Sequence, residues 1–287
     1  MADTIRQLVG DELAIAVDPK VTAMAEAIAR KYGDASRAVL FYGSCLREKQ
    51  LDGLMLDFYL IVSDYGAAYD KRWLAKANAL IPPNVFPFQQ GNLAAKYAVL
   101  SEEDFHRLNG PETRNVSVWA RFAQPTRLVW ARDDQARNRA ADAVARAAPS
   151  LLAAARPLPE GDELEPWRHA FALTYSAELR AERKGRSGSI VDTDPQRYRR
   201  FLEPALAAIG RGAPSGGWAR RRVEGKLLSV LRLAKAAATY AGGAEYIAWK
   251  INRHAGTDIQ LKPWQKRHPL LAAISLLPRL LRSGAIR

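Results

Sequence analysis

The sequence contains little sulfur and few histidines. Its one cysteine, Cys45, excludes an internal disulfide framework and any cysteine-based zinc or iron–sulfur site, and it fits a reducing compartment. The four histidines stand in no catalytic arrangement, and the sequence has neither a P-loop nor a dinucleotide-binding fingerprint. Disulfide-stapled, P-loop and dinucleotide-binding proteins of the common types are therefore excluded.

Long apolar runs are also missing. Nothing in the chain approaches the roughly 18 consecutive apolar residues that span a bilayer. Residues 1–18 include four acidic side chains and no uninterrupted apolar core, unlike a signal or transit peptide. We therefore expect a cytoplasmic protein that has no transmembrane span.

Negative charge is scarce in the C-terminal part of the chain. The 287 residues include 43 Lys and Arg against 30 Asp and Glu, a net charge of +13. Residues 180–287 hold 22 of the basic residues but only 7 of the acidic ones, so all of the excess lies there. This asymmetry indicates a polyanionic partner: nucleic acid, nucleotide phosphates or an anionic membrane surface.

The pattern of apolar residues predicts an α+β fold. Four segments read as strands: 38–42, 55–62, 95–100 and 126–131. Helices are predicted over 1–33 with a break at Asp18-Pro19, and over 69–80, 137–155, 167–183, 196–209 and 219–240. Residues 81–90 are predicted to form a proline-containing loop, and residues 184–189 a polar hinge. The chain then divides into an α+β domain (1–164), a basic helical domain (165–262) and a basic amphipathic segment (263–287).

The most informative motif spans the first two predicted strands. Gly43 and Ser44 follow the first strand, and Asp57 lies inside the otherwise apolar second strand. A glycine lets the backbone approach a ligand closely, and backbone amides with a serine hydroxyl can hold phosphate oxygens. An aspartate among apolar neighbours is costly to bury unless a cation or hydrogen bonds compensate. The pattern indicates that Asp57 holds a divalent metal, Mg²⁺ or Mn²⁺, against a bound phosphate.

A plainer interpretation of this motif stays open. A Gly-Ser turn after a strand is common, and Asp57 can point to solvent while its neighbours point inward. Asp52, the nearest other carboxylate, is expected in a turn. Neither Met55 nor Tyr59, two residues to each side of Asp57, ligates Mg²⁺ well.

The spacing from the Gly-Ser turn to Asp57 resembles that of the nucleotidyltransferase superfamily, in which such a turn precedes a strand with metal-binding aspartates. The superfamily's usual second aspartate is missing, which argues against its polymerase-like and aminoglycoside-modifying members.

Four motifs in order are similar to the mitochondrial-type phosphatidate cytidylyltransferases, which form CDP-diacylglycerol from CTP and phosphatidic acid. They are FYGS (41–44), MLDF (55–58), AKYAVLS (95–101) and TYSAELR (174–180). The departures from that family's pattern are Ala98, Ala177 and Glu178.

This resemblance implies a nucleotidyltransferase-like mixed sheet with flanking helices, followed by a mainly helical C-terminal domain. It implies CTP as the nucleotide, phosphatidic acid as the acceptor and Mg²⁺ or Mn²⁺ as the cofactor. The implied nucleotide-binding residues are Tyr42, Gly43, Ser44 and Lys96, and the implied catalytic residues are Asp57, Ser44 and Lys96, with Asp57 as the metal ligand. The residues implied to bind the acceptor phosphate are Tyr175, Ser176 and Arg180.

Alternatives remain for two of these residues. Lys96 can instead be a solvent-facing lysine on an edge strand, and Arg180 a surface arginine paired with Glu178 or Glu182. The basic residues Arg232 and Lys235 of a later predicted helix can extend the phosphate-facing surface.

The end of the chain favours a lipid surface. A basic cluster around Trp264 precedes a Leu-rich segment that carries Arg279 and Arg282. Such a segment suits a helix lying in an anionic interface, where each basic residue adds about 1 kcal/mol of attraction. The alternative is a C-terminal helix packed on its own domain, and Pro278 weakens either version.

Three hypotheses follow. The first is a metal-dependent phosphatidate cytidylyltransferase that associates peripherally with the inner face of the cell membrane. The second is a nucleotidyltransferase that acts on a soluble small molecule or on RNA. The third is a non-catalytic module that binds nucleic acid or a membrane surface. Aromatic residues are sparse among the basic residues of 180–240, so nucleic acid is not expected as a partner, and the first hypothesis leads.

Overall fold

A five-stranded mixed sheet forms the centre of the fold. The computed structural model describes residues 4–47, 51, 54–179, 186–239 and 262–263. The strands are β1 (Ser36–Tyr42), β2 (Met55–Val62), β3 (Asn84–Gln90), β4 (Leu93–Ser101) and β5 (Thr126–Ala131). Their order is β3-β4-β2-β1-β5; β2 and β4 are parallel, and the other neighbours are antiparallel. The predicted α+β class with a mixed sheet is confirmed, while a nucleotidyltransferase-like fold remains a prediction.

Helices flank this sheet and make up the described chain after β5. Those before β5 are α1 (Ile5–Leu13), α2 (Pro19–Arg30), α3 (Tyr65–Ala68), α4 (Arg72–Leu80), α5 (Glu102–Asn109) and α6 (Trp119–Phe122). Those after β5 are α7 (Asp134–Ala145), α8 (Ala147–Ala154), α9 (Glu165–Ala177), α10 (Arg186–Thr193), α11 (Pro195–Ala207) and α12 (Trp218–Thr239). The prediction of a mainly helical C-terminal part is confirmed for the described residues. The predicted amphipathic segment 263–287 lies outside them, apart from Pro263.

The N-terminal helices begin where local capping dictates. Thr4 and Gln7 form a capping box at the start of α1, so two backbone amides that lack helical partners are satisfied. Asp18 caps α2 and Pro19 occupies its first turn, where a missing N–H costs nothing. The predicted break at Asp18-Pro19 is therefore confirmed.

The strand predictions were correct except for β3. Residues 81–90 were predicted as a loop because Pro82, Pro83 and Pro87 interrupt the segment. The structure instead pairs Asn84–Gln90 with β4 at the edge of the sheet, and Pro87 is exposed there. Proline is tolerated in an edge strand, because the missing N–H can fall on the unpaired side.

The two faces of the sheet pack against different helices. One face, which we call the helix-rich face, carries Leu40, Tyr42, Tyr59, Ile61 and Ala98. It packs against residues of α1 and α5–α11, so its core continues across residue 164. The opposite face packs mainly against α2, with Phe41, Phe58 and Leu60 in its core. The division of the chain into domains at residue 164 stays a prediction.

A buried ion pair ties α11 to the N-terminal helix. Arg197 donates through Nη2 to Glu12 Oε1 at 3.0 Å, and its Nε also bonds that carboxylate. Arg197 Nη1 donates to the Ala123 carbonyl at 3.0 Å. The side chains of Arg197 and Glu12 are 7% and 11% exposed, so each depends on the other for its partner.

One predicted helix and one predicted hinge were wrong at their boundaries. The helix predicted over 167–183 ends at Ala177, because Glu178 adopts an extended conformation. The hinge predicted over 184–189 overlaps α10, which begins at Arg186. As a result, Glu178 does not continue the helical face that carries Tyr175 and Ser176.

Candidate functional site

Three neighbouring strands bring predicted site residues into one row. Tyr42 pairs with Asp57 across the antiparallel strands β1 and β2, and Asp57 pairs with Lys96 across the parallel strands β2 and β4. Residues that pair directly across a sheet place their side chains on the same face. The three side chains therefore lie side by side on the helix-rich face, near the end of β1.

Asp57 and Lys96 form an ion pair in this row. Lys96 Nζ lies 2.9 Å from Asp57 Oδ1, and the side chains of Lys96 and Asp57 are 25% and 20% exposed. Asp57 Oδ1 is enclosed and has no partner of hydrogen-bond geometry within the described chain, so the ion pair is what offsets its burial. The interpretation of Asp57 as a solvent-facing residue is wrong. The interpretation of Lys96 as an edge-strand lysine is also wrong, because β4 lies between β3 and β2.

The backbone at Gly43 approaches the same carboxylate. Gly43 has a φ of +96°, which favours glycine, and a Cβ built there would lie 3.2 Å from Asp57 Oδ2. Ser44, which is exposed, begins a short 3₁₀ turn that extends to Arg47. A side chain at position 43 would crowd Asp57 Oδ2, so glycine is what allows the backbone to approach this carboxylate.

A basic residue that sequence reasoning missed lies over this row. Helix α6 places Arg121 above Tyr42, with the guanidinium carbon 4.8 Å from the ring centroid. Arg121 Nε is enclosed and has no hydrogen-bond partner in the described structure. The sequence feature that could have pointed to Arg121 is that it is the single charged residue in the otherwise uncharged run 116–123.

The charge on Arg121 is stabilised by its neighbours. Burial alone disfavours the charged guanidinium, but acidic groups around it outweigh burial and raise the pKa of Arg121. These groups are Tyr42, Tyr59, Asp57 and Glu178. Tyrosines are neutral near pH 7, so the two carboxylates supply the negative charge under ordinary conditions.

Helix α12 adds two more basic residues. Arg232 Nε donates to the Pro82 carbonyl at 2.8 Å, and Arg232 Nη1 donates to Ser117 Oγ at 2.8 Å. Arg232 Nη2 is enclosed and has no hydrogen-bond partner among the described residues. Burial, with a smaller contribution from Arg121, lowers the pKa of Arg232. Ser117, which Arg232 contacts, lies four residues before Arg121 in the chain.

Lys235 lies about one turn further along α12. Its Nζ donates to the carbonyls of Ile81 and, at 2.8 Å, Pro83. Burial, followed by the charge of Arg232, lowers the pKa of Lys235 to about 7. Its charge therefore changes in the neutral range.

The site has an excess of basic side chains. Those described above are Lys96, Arg121, Arg232 and Lys235, and the carboxylates among them are Asp57 and Glu178. Cations held close together on a partly covered surface favour a multivalent anion. The arrangement is chemically suited to bind phosphate groups.

The residues predicted to bind the acceptor phosphate lie at the end of α9. Tyr175 is half-buried, and Ser176 is exposed with its Oγ donating to the Leu173 carbonyl at 2.7 Å. Arg180 lies outside the described residues. The charge of Glu178, one of the departures from the family pattern, instead favours the charged forms of Arg121 and Arg232. The roles of Tyr175, Ser176 and Arg180 stay predictions.

Few side chains at the site could act as ligands of a metal ion. Within the described ranges, no group of three or more His, Cys, Asp or Glu side chains is placed to hold a metal. Mg²⁺ is often held by one or two carboxylates, with substrate phosphates and water completing its shell. Asp57 fits that minimum, because it is a carboxylate whose ion pair with Lys96 is made through Oδ1.

Comparison with known proteins gives no family for the chain. No protein-family model matches it, and no curated protein matches it by sequence similarity. Separately, none of the described helices is both long enough and apolar enough to cross a membrane. The resemblance to phosphatidate cytidylyltransferases therefore remains a hypothesis that rests on the four motifs.

Proposed function

We propose that the protein transfers CMP from CTP to phosphatidic acid at an anionic membrane surface. The observation that carries this proposal is the approach of the Gly43 backbone to Asp57, which is itself ion-paired with Lys96. This arrangement is suited to bind a nucleoside triphosphate. It combines a glycine backbone that can approach phosphate closely, a lysine, and a carboxylate capable of holding a divalent cation. The four-motif resemblance supports phosphatidic acid as the acceptor.

The proposed reaction is a phosphoryl-group substitution. A phosphate oxygen of phosphatidic acid attacks the α-phosphorus of CTP and forms a new P–O bond. The bond from that phosphorus to the α,β-bridging oxygen breaks, and pyrophosphate leaves with that oxygen. The attacking oxygen is already anionic near neutral pH, so no strong general base is required. The products are CDP-diacylglycerol and pyrophosphate.

The described residues can divide the work of this reaction. Gly43 and Ser44 hold the β- and γ-phosphates, and Lys96 neutralises phosphate charge while it orients Asp57. Asp57 would hold Mg²⁺ or Mn²⁺, which when bound neutralises charge as pyrophosphate departs. Catalysis then depends on positioning and electrostatic stabilisation, as is general in phosphoryl transfer.

Helix α12 offers a surface that suits a membrane containing anionic lipid. Val223, Leu227 and Leu231 are 70%, 58% and 38% exposed, and their four-residue spacing places them on one line along the helix. Arg222 and Lys226, both exposed, lie one residue before Val223 and Leu227 and form an adjacent basic line. Apolar and basic lines side by side are typical of helices that lie in a lipid interface. They support peripheral contact with the inner face of the cell membrane.

The decisive experiment is to incubate the purified full chain with α-labelled CTP, Mg²⁺ and phosphatidic acid in mixed micelles. We expect labelled CDP-diacylglycerol and an equal amount of pyrophosphate. The Asp57→Asn variant, which keeps the side-chain size, should retain the circular-dichroism spectrum and lose the product. Full activity of Asp57→Asn would reject the metal-binding role of Asp57.

Parallel incubations with other acceptors separate the rival hypothesis. Glycerol 3-phosphate and RNA replace phosphatidic acid under the same conditions. Label transfer to either of these, without transfer to phosphatidic acid, would replace the lipid proposal with transfer to a soluble acceptor. A folded protein that transfers label to no acceptor would contradict the enzymatic proposal.

A further inference from the structure

We propose that Arg121 and Arg232 form the binding site for the phosphate monoester of the acceptor. This inference rests on the proposed transfer reaction, because that reaction needs an acceptor phosphate next to the nucleotide. The ligand group is a phosphate dianion, and it is held by two guanidinium groups on different helices. The site is separate from the Gly43–Ser44 turn assigned to the nucleotide.

The first support is a pair of enclosed N–H groups without partners. Arg121 Nε and Arg232 Nη2 are buried, and neither has a hydrogen-bond acceptor among the residues that the structure describes. Buried donors in folded proteins are almost always paired with protein, water or a ligand. An anion that accepts from both groups satisfies them.

The second support is that the orientation of Arg232 is already fixed. Its Nε and Nη1 each donate at 2.8 Å, to the Pro82 carbonyl and to Ser117 Oγ. Arg121 is likewise held with its guanidinium carbon 4.8 Å from the Tyr42 ring centroid. Because guanidinium groups are planar and rigid, anchoring part of each aims the remaining donors. This preorganisation lowers the entropic cost of binding an anion.

The third support is the proximity of two like charges. Arg232 Nη1 bonds Ser117 Oγ, Ser117 lies four residues before Arg121 in the chain, and Arg121 acts unfavourably on the charge of Arg232. Glu178 partly offsets the charge of both residues. A ligand carrying two negative charges would remove the remaining repulsion and pair with both groups.

The proposed acceptor-phosphate site and the proposed nucleotide site are formed by elements that reach the sheet from different directions. Gly43 reaches Asp57 from the end of β1. Arg121 and Arg232 approach from α6 and α12, which lie over the sheet and beside β3. In phosphoryl transfer the attacking and leaving oxygens lie roughly in line on opposite sides of phosphorus. Two phosphate-binding positions that are reached from different directions suit that requirement, with the leaving phosphates at the glycine turn.

The test measures direct binding of two probes by calorimetry. The probes are dihexanoyl phosphatidic acid below its micellar concentration and CTP with Mg²⁺. The variants are Arg232→Gln and Arg232→Lys, and the matched control is Arg220→Gln, which removes the same charge from an exposed position on the same helix. Arg232→Lys keeps the charge but loses the guanidinium fork.

We expect both Arg232 variants to weaken binding of the short-chain phosphatidic acid by about tenfold, the loss typical of a hydrogen bond to a charged group. Binding of CTP should change by less than about twofold, and Arg220→Gln should leave both affinities near the wild-type values. An equal loss of CTP affinity would reassign the pair to nucleotide phosphates and overturn the proposal. Unchanged affinities, or no wild-type binding of the lipid probe, would also overturn it.

Binding is measured without turnover, so the outcome is independent of the transfer assay. If no CDP-diacylglycerol forms but the lipid probe binds through Arg232, the proposed reaction fails and the phosphate site stands. Arg121→Lys is included as a second variant, because it keeps the buried charge. Circular dichroism and thermal melting of each variant show that weaker binding does not come from unfolding.

Discussion

Gly225 in α12 lies directly against the backbone carbonyl of Ala177, the last residue of α9. A Cβ at position 225 would clash with that carbonyl oxygen. The contact is extended by Leu179, whose backbone N–H donates to Ser229 Oγ at 3.3 Å. The end of α9 and the middle of α12 are thus held together, and this contact sets the position of Arg232 relative to Glu178.

Substitution of Gly225 by alanine is expected to push the two helices apart. Overpacking of this kind costs about 1–3 kcal/mol, so the midpoint of urea unfolding should fall. The matched control is Gly210→Ala, because a Cβ at Gly210 would meet nothing within 4 Å. Equal unfolding midpoints for Gly225→Ala and Gly210→Ala would contradict the close contact.

The Asp57–Lys96 ion pair leads to a prediction about coupling. Lys96→Met leaves the enclosed oxygen of Asp57 without its cation, so we expect the free energy of unfolding to fall by about 1–3 kcal/mol. The double variant Asp57→Asn with Lys96→Met should be more stable than Lys96→Met alone. A double-mutant cycle from urea denaturation measures this coupling, and additive losses would show that the pair is not coupled.

Lys235 should give anion binding a pH dependence. Burial and Arg232 lower its pKa to about 7, so it is charged at pH 6 and mostly neutral at pH 8. Wild type should bind dihexanoyl phosphatidic acid about tenfold more tightly than Lys235→Met at pH 6, with the difference shrinking toward pH 8 as the charge is lost. Comparing the two proteins at each pH cancels the titration of the lipid phosphate itself. A constant difference across this range would show that Lys235 does not titrate there.

The lowered pKa of Lys235 also determines how the stability of the protein changes with pH. The ordinary pKa of lysine is 10.5, so between pH 7 and 10.5 the unfolded chain binds more protons at Lys235 than the folded protein does. This residue therefore opposes folding most strongly below pH 7, and its contribution to stability improves as pH rises.

Breaking the buried Glu12–Arg197 pair is expected to destabilise the protein strongly. Removing one partner leaves a buried charge, so Arg197→Met should lower the free energy of unfolding by about 3–5 kcal/mol. The matched control is Arg200→Met on the same helix. The ion pair of Arg200 with Asp11 is 3.7 Å long and exposed, so its loss should cost about 1 kcal/mol or less. Similar losses in both variants would contradict the importance of burial.

Leu227 tests the proposed lipid surface on α12. Leu227→Gln should weaken co-sedimentation with vesicles of phosphatidic acid and phosphatidylcholine by about tenfold, because one leucine contributes roughly 1.5 kcal/mol or more of apolar burial. The control is Ile15→Gln, which alters another exposed apolar residue. Equal binding of both variants would reject this face of α12 as the lipid contact.

Sequence patterns were sufficient to predict much of the sheet and part of the candidate site. The strands 38–42, 55–62, 95–100 and 126–131 are apolar segments of strand length, and each is a strand in the structure. Asp57 stood out because it is charged within such a segment. Its position beside Gly43 follows from a simple antiparallel pairing of consecutive strands.

Other features depend on contacts between distant parts of the chain. Arg121 lies about 80 residues from Tyr42 in sequence, and no local pattern places one over the other. The end of α9 was missed because Glu178 and Leu179 favour helix locally. Contacts with Ser229 and Gly225 accompany the departure of the chain from the helix. Tertiary packing here overrides local propensity.

The position of β3 at the edge of the sheet bears on whether copies of the protein associate with one another. As an outer strand it offers backbone groups on which another chain could extend the sheet. Pro87, in the middle of β3, has no amide hydrogen to donate, and α12 packs beside this strand. Both features make this border a poor template for the addition of a strand from another copy of the protein.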